Sequence, residues 1–189
     1  MVIKWQTIKK EFVHDYRIVR SYWHHCHHSQ KKIDYDFFVL HSNDWVNVIP
    51  LTADHKVVFI RQYRPGVDDI TLEIPGGLVE QGEDPLKAGL REMAEETGYH
   101  AASFDGMGFV HPNPAMQDNR CHFMLARDCQ KKSATKFDRA EDIETELVDL
   151  KDVPKLIATQ KITHALVLCA FQRMNLLFPE YNLSRIDKT

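Results

Sequence analysis

No stretch of this sequence approaches the roughly 18 consecutive apolar residues that a membrane-spanning helix needs, and the opening Met1-Val2-Ile3-Lys4-Trp5-Gln6 lacks the apolar run of a secretory signal. Cysteine is scarce. Cys26, Cys121, Cys129 and Cys169 stand far apart, with no CxxC pair of the kind that builds zinc ribbons and redox motifs. Such thiols suit a reducing compartment, so the expectation is a cytoplasmic protein with no membrane partner. An excess of basic charge is missing as well. The 24 Lys and Arg against 27 Asp and Glu leave a net charge of −3, which argues against nucleic acid as a partner, because phosphate neutralisation demands a basic footprint. Internal repeats, low-complexity tracts and an obvious interdomain linker are also absent.

What remains is a chain of 189 residues, 43% hydrophobic, long enough to bury a real core and short enough that a second full domain would not fit comfortably. Residues 16–23 and 36–40 are rich in β-branched and aromatic side chains and read as strands, with the polar stretch 24–34 as the turn between them. Two more strands are expected at 45–51 and 56–63, joined as a hairpin by Thr52-Ala53-Asp54-His55. Asp84 as a cap, Pro85 at the first helical position and Gly98 as a stop predict a helix over 85–97. Strands follow at 104–111, 120–127 and 144–150, then a carboxy-terminal helix from about 163 to 177. Gln130–Arg139 reads as a polar loop with room to move.

The 85–97 helix carries the chemistry. At about 100° per residue, Leu86, Leu90, Met93 and Thr97 gather on one side, and Glu92, Glu95 and Glu96 gather roughly 130° away. Glu92 and Glu96 are like charges at i,i+4, costing roughly 0.2–0.5 kcal/mol. Glu95 and Glu96 also sit in the last turn, where the helix dipole disfavours anions. Hard divalent ions such as Mg²⁺ or Mn²⁺ choose clustered carboxylate oxygens of this kind and complete their shells with water and phosphate. An isolated acidic stripe would be read as a solvated helix face. Here the local context decides otherwise.

That context is Gly77, five residues, Glu83, seven residues, then Arg91-Glu92-Met93-Ala94-Glu95-Glu96-Thr97-Gly98-Tyr99. It resembles the signature box of the Nudix hydrolases at every fixed position, with Tyr99 a mild departure where an aliphatic residue is usual. The resemblance implies an α+β fold, a Nudix-type α/β/α sandwich with a mixed sheet. Carried onto these residues, it makes Glu92 and Glu96 the main metal ligands and Glu95 a further or bridging one. Arg91 orients the carboxylates, the Gly76 carbonyl is a backbone ligand, and Glu83 supports the loop.

Outside the box, Phe59-Ile60-Arg61-Gln62-Tyr63-Arg64-Pro65 and Leu72-Glu73-Ile74-Pro75-Gly76-Gly77 resemble the subgroup acting on ADP-ribose and related nucleoside diphosphate sugars. Arg64 is the diphosphate contact of choice, since a planar guanidinium fits phosphate oxygens two at a time; a surface salt bridge is its other reading. Pro114, fifteen residues after Tyr99, falls where that subgroup carries a characteristic proline. In the run Phe137–Glu144, Glu141 best matches the acidic residue that either binds metal or takes the water's proton. Arg139 replaces a second acid found in some relatives, and Asp142 and Glu144 stay open as alternatives.

Trp5 and Trp45 are the aromatics that the resemblance offers for stacking on a nucleobase, with core packing the other reading of each. The resemblance further implies a homodimer built through a β-rich segment over residues 1–44, with the hydrolase domain over 45–189. The run His24-His25-Cys26-His27-His28 invites a zinc site, but in a hairpin turn it is better read as an exposed polar loop. The expected activity is metal-dependent hydrolysis of a nucleoside diphosphate sugar such as ADP-ribose or a GDP-mannose analogue. The rivals are another Nudix activity, on a dinucleotide, a coenzyme or capped RNA, and a non-catalytic sensor on the same fold.

Overall fold

A computed structural model describes residues 1–181 and residue 183, and the chain divides into two units, residues 1–44 with 110–120, and residues 45–109 with 121–189. In the first unit three antiparallel strands, β1 (Gln6–Asp15), β2 (Arg20–His28) and β3 (Ile33–His41), stand side by side in that order. β2 begins at Arg20 rather than residue 16 because Tyr16–Val19 close a tight turn, with the Tyr16 amide donating to the Val19 carbonyl at 2.9 Å and Arg17 at φ 73°. The strand over Gln6–Asp15 has no counterpart in the sequence reading. All ten of its residues are exposed, so it lacks the in-out alternation that marks a strand.

The His24–His28 run is not a turn; it is the body of β2, paired on both edges. Alternation sends His25 and His27 to one face, where their Nδ1 atoms meet Asp36 at 2.6 Å and Asp34 at 2.7 Å. Cys26 and His28 are buried, and Trp5 packs edge-on against His28 and Phe37. Polarity misled the sequence reading because these polar residues find cross-strand partners, which a local pattern does not reveal.

The second unit runs β4 (Trp45–Pro50), β5 (Lys56–Arg64), β6 (Asp69–Glu73), β7 (Gly76–Leu78), α1 (Pro85–Thr97), β8 (Tyr99–His100), β9 (Ser103–Val110), β10 (Cys121–Arg127), β11 (Gln130–Lys131), β12 (Ile143–Asp149), α2 (Val153–Ala158) and α3 (Ala165–Leu177). β4 lies parallel to β10 and antiparallel to β7 in a mixed sheet ordered β7-β4-β10-β9. β5 sits between β12 and β6 in a second, antiparallel sheet. The expected 45–63 hairpin is therefore corrected. Thr52–His55 do turn the chain, with the His55 amide on the Thr52 carbonyl, but β4 and β5 meet only at an isolated Leu51–Val57 bridge and then join different sheets. Each finds a longer partner elsewhere.

Both α1 and α3 pack on β4 and β10, which places helices on the two faces of the mixed sheet. On the α1 side Val46, Val48, Met124 and Ala126 from the sheet meet Ala88 and Met93 from the helix, with Leu86 and Leu90 at the margin. Phe171 of α3 stacks on Phe59 at 5.8 Å between ring centres. The capping chemistry of α1 is as predicted. Asp84 accepts from the Leu86 and Lys87 amides, Pro85 takes the first helical position, and Gly98 closes the helix at φ 73°, where a Cβ would lie 2.3 Å from the Ser133 carbonyl oxygen. The loop after β11 is tied to that helix end by main-chain bonds from Lys132 and Ser133 to Gly98 and from Lys136 to Glu95. Among the described residues no helix is long and apolar enough to cross a membrane.

Candidate active site

Helix α1 brings four box residues to one place. Arg91 donates from Nη1 to Glu92 at 2.9 Å and to Glu95 at 3.2 Å, and from Nε and Nη2 to the two oxygens of Glu83 at 3.1 and 3.0 Å. A further bond from Nη2 reaches the Leu78 carbonyl. The guanidinium thus orients two candidate ligands while Glu83 anchors it, and these carboxylates, Glu83 foremost, hold Arg91 firmly protonated. Glu83 also accepts the Glu80 amide, which closes the loop before the helix.

Glu96 differs from its neighbours. Its side chain is nearly enclosed, with the residue 3% exposed, and it accepts the Gly76 amide at 3.0 Å. Burial, with Glu92 and Glu141 adding like charge, pushes its carboxyl up to about 8 against the partial relief of the Gly76 bond and the Arg64 charge. Glu92 is raised in the same way, by burial first and then by Glu95 and Glu141, although Arg91 opposes the shift. Glu141 thus adds like charge to both the buried Glu96 and the half-buried Glu92. Its own carboxylate accepts the Asp138 amide at 2.9 Å, which holds the loop that carries it.

The glycine pair beside this helix allows the close approach. A Cβ on Gly77 would lie 2.4 Å from the Glu92 carboxylate, and one on Gly76 would lie 2.2 Å from the Val46 carbonyl oxygen. Both glycines line a cavity of about 330 Å³, which also receives Trp45, Arg64, Glu73 and His164. A space of this size falls at the lower end of ordinary small-molecule sites.

On the cavity wall Arg64 makes a two-point bond to Glu73, Nε to Oε1 and Nη2 to Oε2, each at 2.8 Å. Glu73 is 1% exposed and also accepts from Thr71 at 2.6 Å. Burial pushes the Glu73 carboxyl upward, but the Arg64 and Thr71 donors outweigh it and hold the group below its usual range. Sequence reasoning misses both Glu73 and His164. For Glu73 a signal exists, a lone acid between Leu72 and Ile74 in an otherwise apolar run. His164, the amino-terminal cap of α3, accepts the Leu166 amide on Nδ1 at 3.3 Å, and its place beside Glu73 depends on residues about ninety apart in the chain.

The donor set suits a hard divalent cation. Glu92, Glu95 and Glu96 supply oxygen only, and a carboxylate as buried as Glu96 with like charges around it is relieved by a cation. Among the described residues no three Asp, Glu, His or Cys side chains stand ready-gathered around one point. Arg91 lies between Glu92 and Glu95 instead, so an ion would draw those oxygens from the guanidinium and complete its shell with water and substrate.

The structure therefore brings together Trp45, Arg64 and Gly76 around the cavity, and Arg91, Glu92, Glu95 and Glu96 on α1 behind it, with Glu141 within electrostatic reach. Glu144 lies on β12, opposite Arg61. Trp5 and Pro114 belong to the other unit, Trp5 against His28 and Phe37, and Pro114 exposed in the turn closed by the Asn113 carbonyl. Their part in binding stays an expectation from the resemblance.

The NUDIX domain family model matches residues 42–171. The ADP-ribose pyrophosphatase of Bacillus subtilis is 28% identical over 172 residues, covering 90% of this chain and 92% of that protein. The methanol dehydrogenase activator of Bacillus methanolicus is 31% identical over 132 residues, covering 69% of this chain and 71% of that protein. A crystal structure of an ADP compounds hydrolase superposes with a TM-score of 0.85 at 19% identity, over 97% of this chain and 98% of that one, and so shares the fold. Because the family match spans more than half of the chain and takes in the glycine strand and the acidic helix alike, the protein belongs to the NUDIX family, as a hydrolase of the pyrophosphatase type.

Proposed function

We propose that the protein hydrolyses the diphosphate bond of a nucleoside diphosphate sugar, releasing a nucleoside monophosphate and a sugar phosphate, with ADP-ribose the first candidate and GDP-mannose-like conjugates next. One observation carries this reading. A buried carboxylate, Glu96, is bonded to the glycine strand that lines a cavity whose wall also holds Arg64 and Trp45. The activity named for the Bacillus subtilis relative supports the same substrate class.

In this reading the carboxylates of Glu92, Glu95 and Glu96 and the Gly76 carbonyl hold Mg²⁺ or Mn²⁺, with Arg91 orienting Glu92 and Glu95. A cation held there would neutralise phosphate oxygens and make water in the site more acidic. Arg64 keeps Nη1 for the diphosphate, because Nε and Nη2 are spent on Glu73. Trp45 offers its ring to the base. Glu141 takes the proton as the water oxygen bonds to one phosphorus, and the bridging P–O bond breaks with its electron pair on the leaving phosphate.

A panel of nucleoside diphosphate sugars, dinucleotides and coenzymes, with phosphate release coupled to a phosphatase in Mg²⁺ and in Mn²⁺, tests this directly. AMP and ribose 5-phosphate should form from ADP-ribose and cease on chelation by EDTA. Turnover confined to dinucleotides, or none at all, would sink the proposal.

The protein is further proposed to work as a homodimer through its β-rich first unit. β1 is an edge strand that exposes Ile8, Phe12 and Val13, an arrangement that invites pairing with a second copy. Sedimentation equilibrium should return about twice the 22.0 kDa chain mass, and a monomer mass at micromolar concentration would refute it.

A further inference from the structure

We propose that His164 is a substrate-binding residue, its Nε2–H donating to an anionic oxygen of the diphosphate beside the Arg64 guanidinium. This rests on the nucleoside diphosphate reading above and assigns a residue to it.

The tautomer follows from the helix cap. Nδ1 of His164 accepts the Leu166 amide at 3.3 Å, so the proton of the neutral ring resides on Nε2. That nitrogen lies 3.9 Å from Glu73 Oε2, too far for a hydrogen bond, while Arg64 Nη2 holds the same oxygen at 2.8 Å. Oε1 is taken by Arg64 Nε and by Thr71. Glu73 is therefore satisfied without His164, and the Nε2–H keeps its donor for another acceptor.

Position supplies that acceptor. His164 lines the same cavity as Arg64, Trp45 and the glycine pair, and about a third of its side chain is exposed, at 31%. The guanidinium and the imidazole converge on one buried carboxylate, with Arg64 Nη1 and His164 Nε2 left over. The Glu73 charge is matched by Arg64, so this part of the wall offers two unspent donors, Arg64 Nη1 and His164 Nε2, an arrangement that suits an anion. Capping alone does not account for the residue. Asn, Asp or Ser would accept the Leu166 amide more effectively, whereas histidine adds a second nitrogen on the far side of the ring.

His164→Asn separates the two roles, because asparagine still caps α3 but cannot present the Nε2–H. Calorimetry with ADP and steady-state kinetics with ADP-ribose, both in Mg²⁺, should show the ADP Kd and the ADP-ribose KM rising about tenfold, the loss of one charge-assisted hydrogen bond. At the same time kcat should stay within about twofold and Tm should hold. His164→Ser, another capping residue, should repeat the pattern and serves if the asparagine variant folds poorly. A wild-type Kd and KM in both variants would reduce His164 to a cap. A rise for ADP-ribose without one for ADP would move the contact off the shared diphosphate and overturn the assignment. If the unmodified protein binds neither ligand, the nucleoside diphosphate reading itself falls and takes this inference with it; if it binds and cleaves normally while the variants match it, this inference alone fails.

Discussion

Glu96→Gln is expected to lower kcat/KM by a hundredfold or more while leaving the fold intact. The substitution keeps the shape of the side chain and an oxygen that can accept the Gly76 amide. It removes the charge on which cation binding depends, and the loss of one preorganised electrostatic contact at a reacting phosphate is worth about 10²–10³ in rate. Glu96 is 3% exposed and faces Glu92 and Glu141, so in the metal-free protein its charge is a burden that the amide lifts. Activity and stability should therefore move in opposite directions. Thermal melts in EDTA at pH 8.5, beside kinetics in Mg²⁺, read both. Activity within a few-fold of the parent would remove Glu96 from the machinery, whereas a parent that binds the nucleotide sugar and releases no metal-dependent product would revive the rival in which the chain senses it without cleaving it.

The second large effect is on the pH dependence of stability. Burial pushes the Glu96 carboxyl up to about 8 from an ordinary value of 4.5, so the folded state holds a proton that the unfolded state releases. The contribution to stability is complete below about pH 4.5 and is lost as pH rises through 8. A shift of this size amounts to roughly 5 kcal/mol across that window. Glu92, also raised, acts in the same direction, whereas Glu73, held low by Arg64 and Thr71, adds stability that disappears as pH falls below its usual range. Comparing wild type with Glu96→Gln in EDTA from pH 5 to pH 9 cancels the other groups. The difference should grow in favour of the variant as pH rises. Mg²⁺ at a hundred times Kd should offset about 2.7 kcal/mol of it, for wild type alone. Parallel curves in EDTA, with no response to Mg²⁺, would mean that neither burial strain nor cation binding resides at Glu96.

The extent to which these features were legible in the sequence follows the distance over which each is decided. Helix α1 could be read residue by residue, because its start, its end and its acidic face are settled by groups within a few positions. Asp84 bonds to amides two and three residues on, Pro85 loses no bond at the first helical position, and Gly98 adopts the positive φ that ends the helix. The spacing of Arg91, Glu92, Glu95 and Glu96 on that helix brought the acidic group and its orienting arginine with it, and the run of residues around them carried the family.

Strand pairing was decided elsewhere. Trp45–Pro50 and Lys56–Arg64 looked like a hairpin because they are adjacent in sequence, yet their main partners are Cys121–Arg127 and Ile143–Asp149, more than seventy residues onward. Polar side chains in β2 looked like a turn because Asp34 and Asp36, which pair with His27 and His25, lie on the next strand. The buried Glu73, its grip on Arg64 and the nearness of His164 exist only once β5, β6 and the start of α3 are packed together. The sequence alone determined the helix, its caps and the ordered carboxylates, since hydrogen bonds and dipoles within one or two turns settle those. Only the tertiary structure decided which carboxylate is buried, which arginine is already spent on an acid and which histidine faces the cavity, because burial and charge pairing depend on neighbours that the chain brings together from far apart.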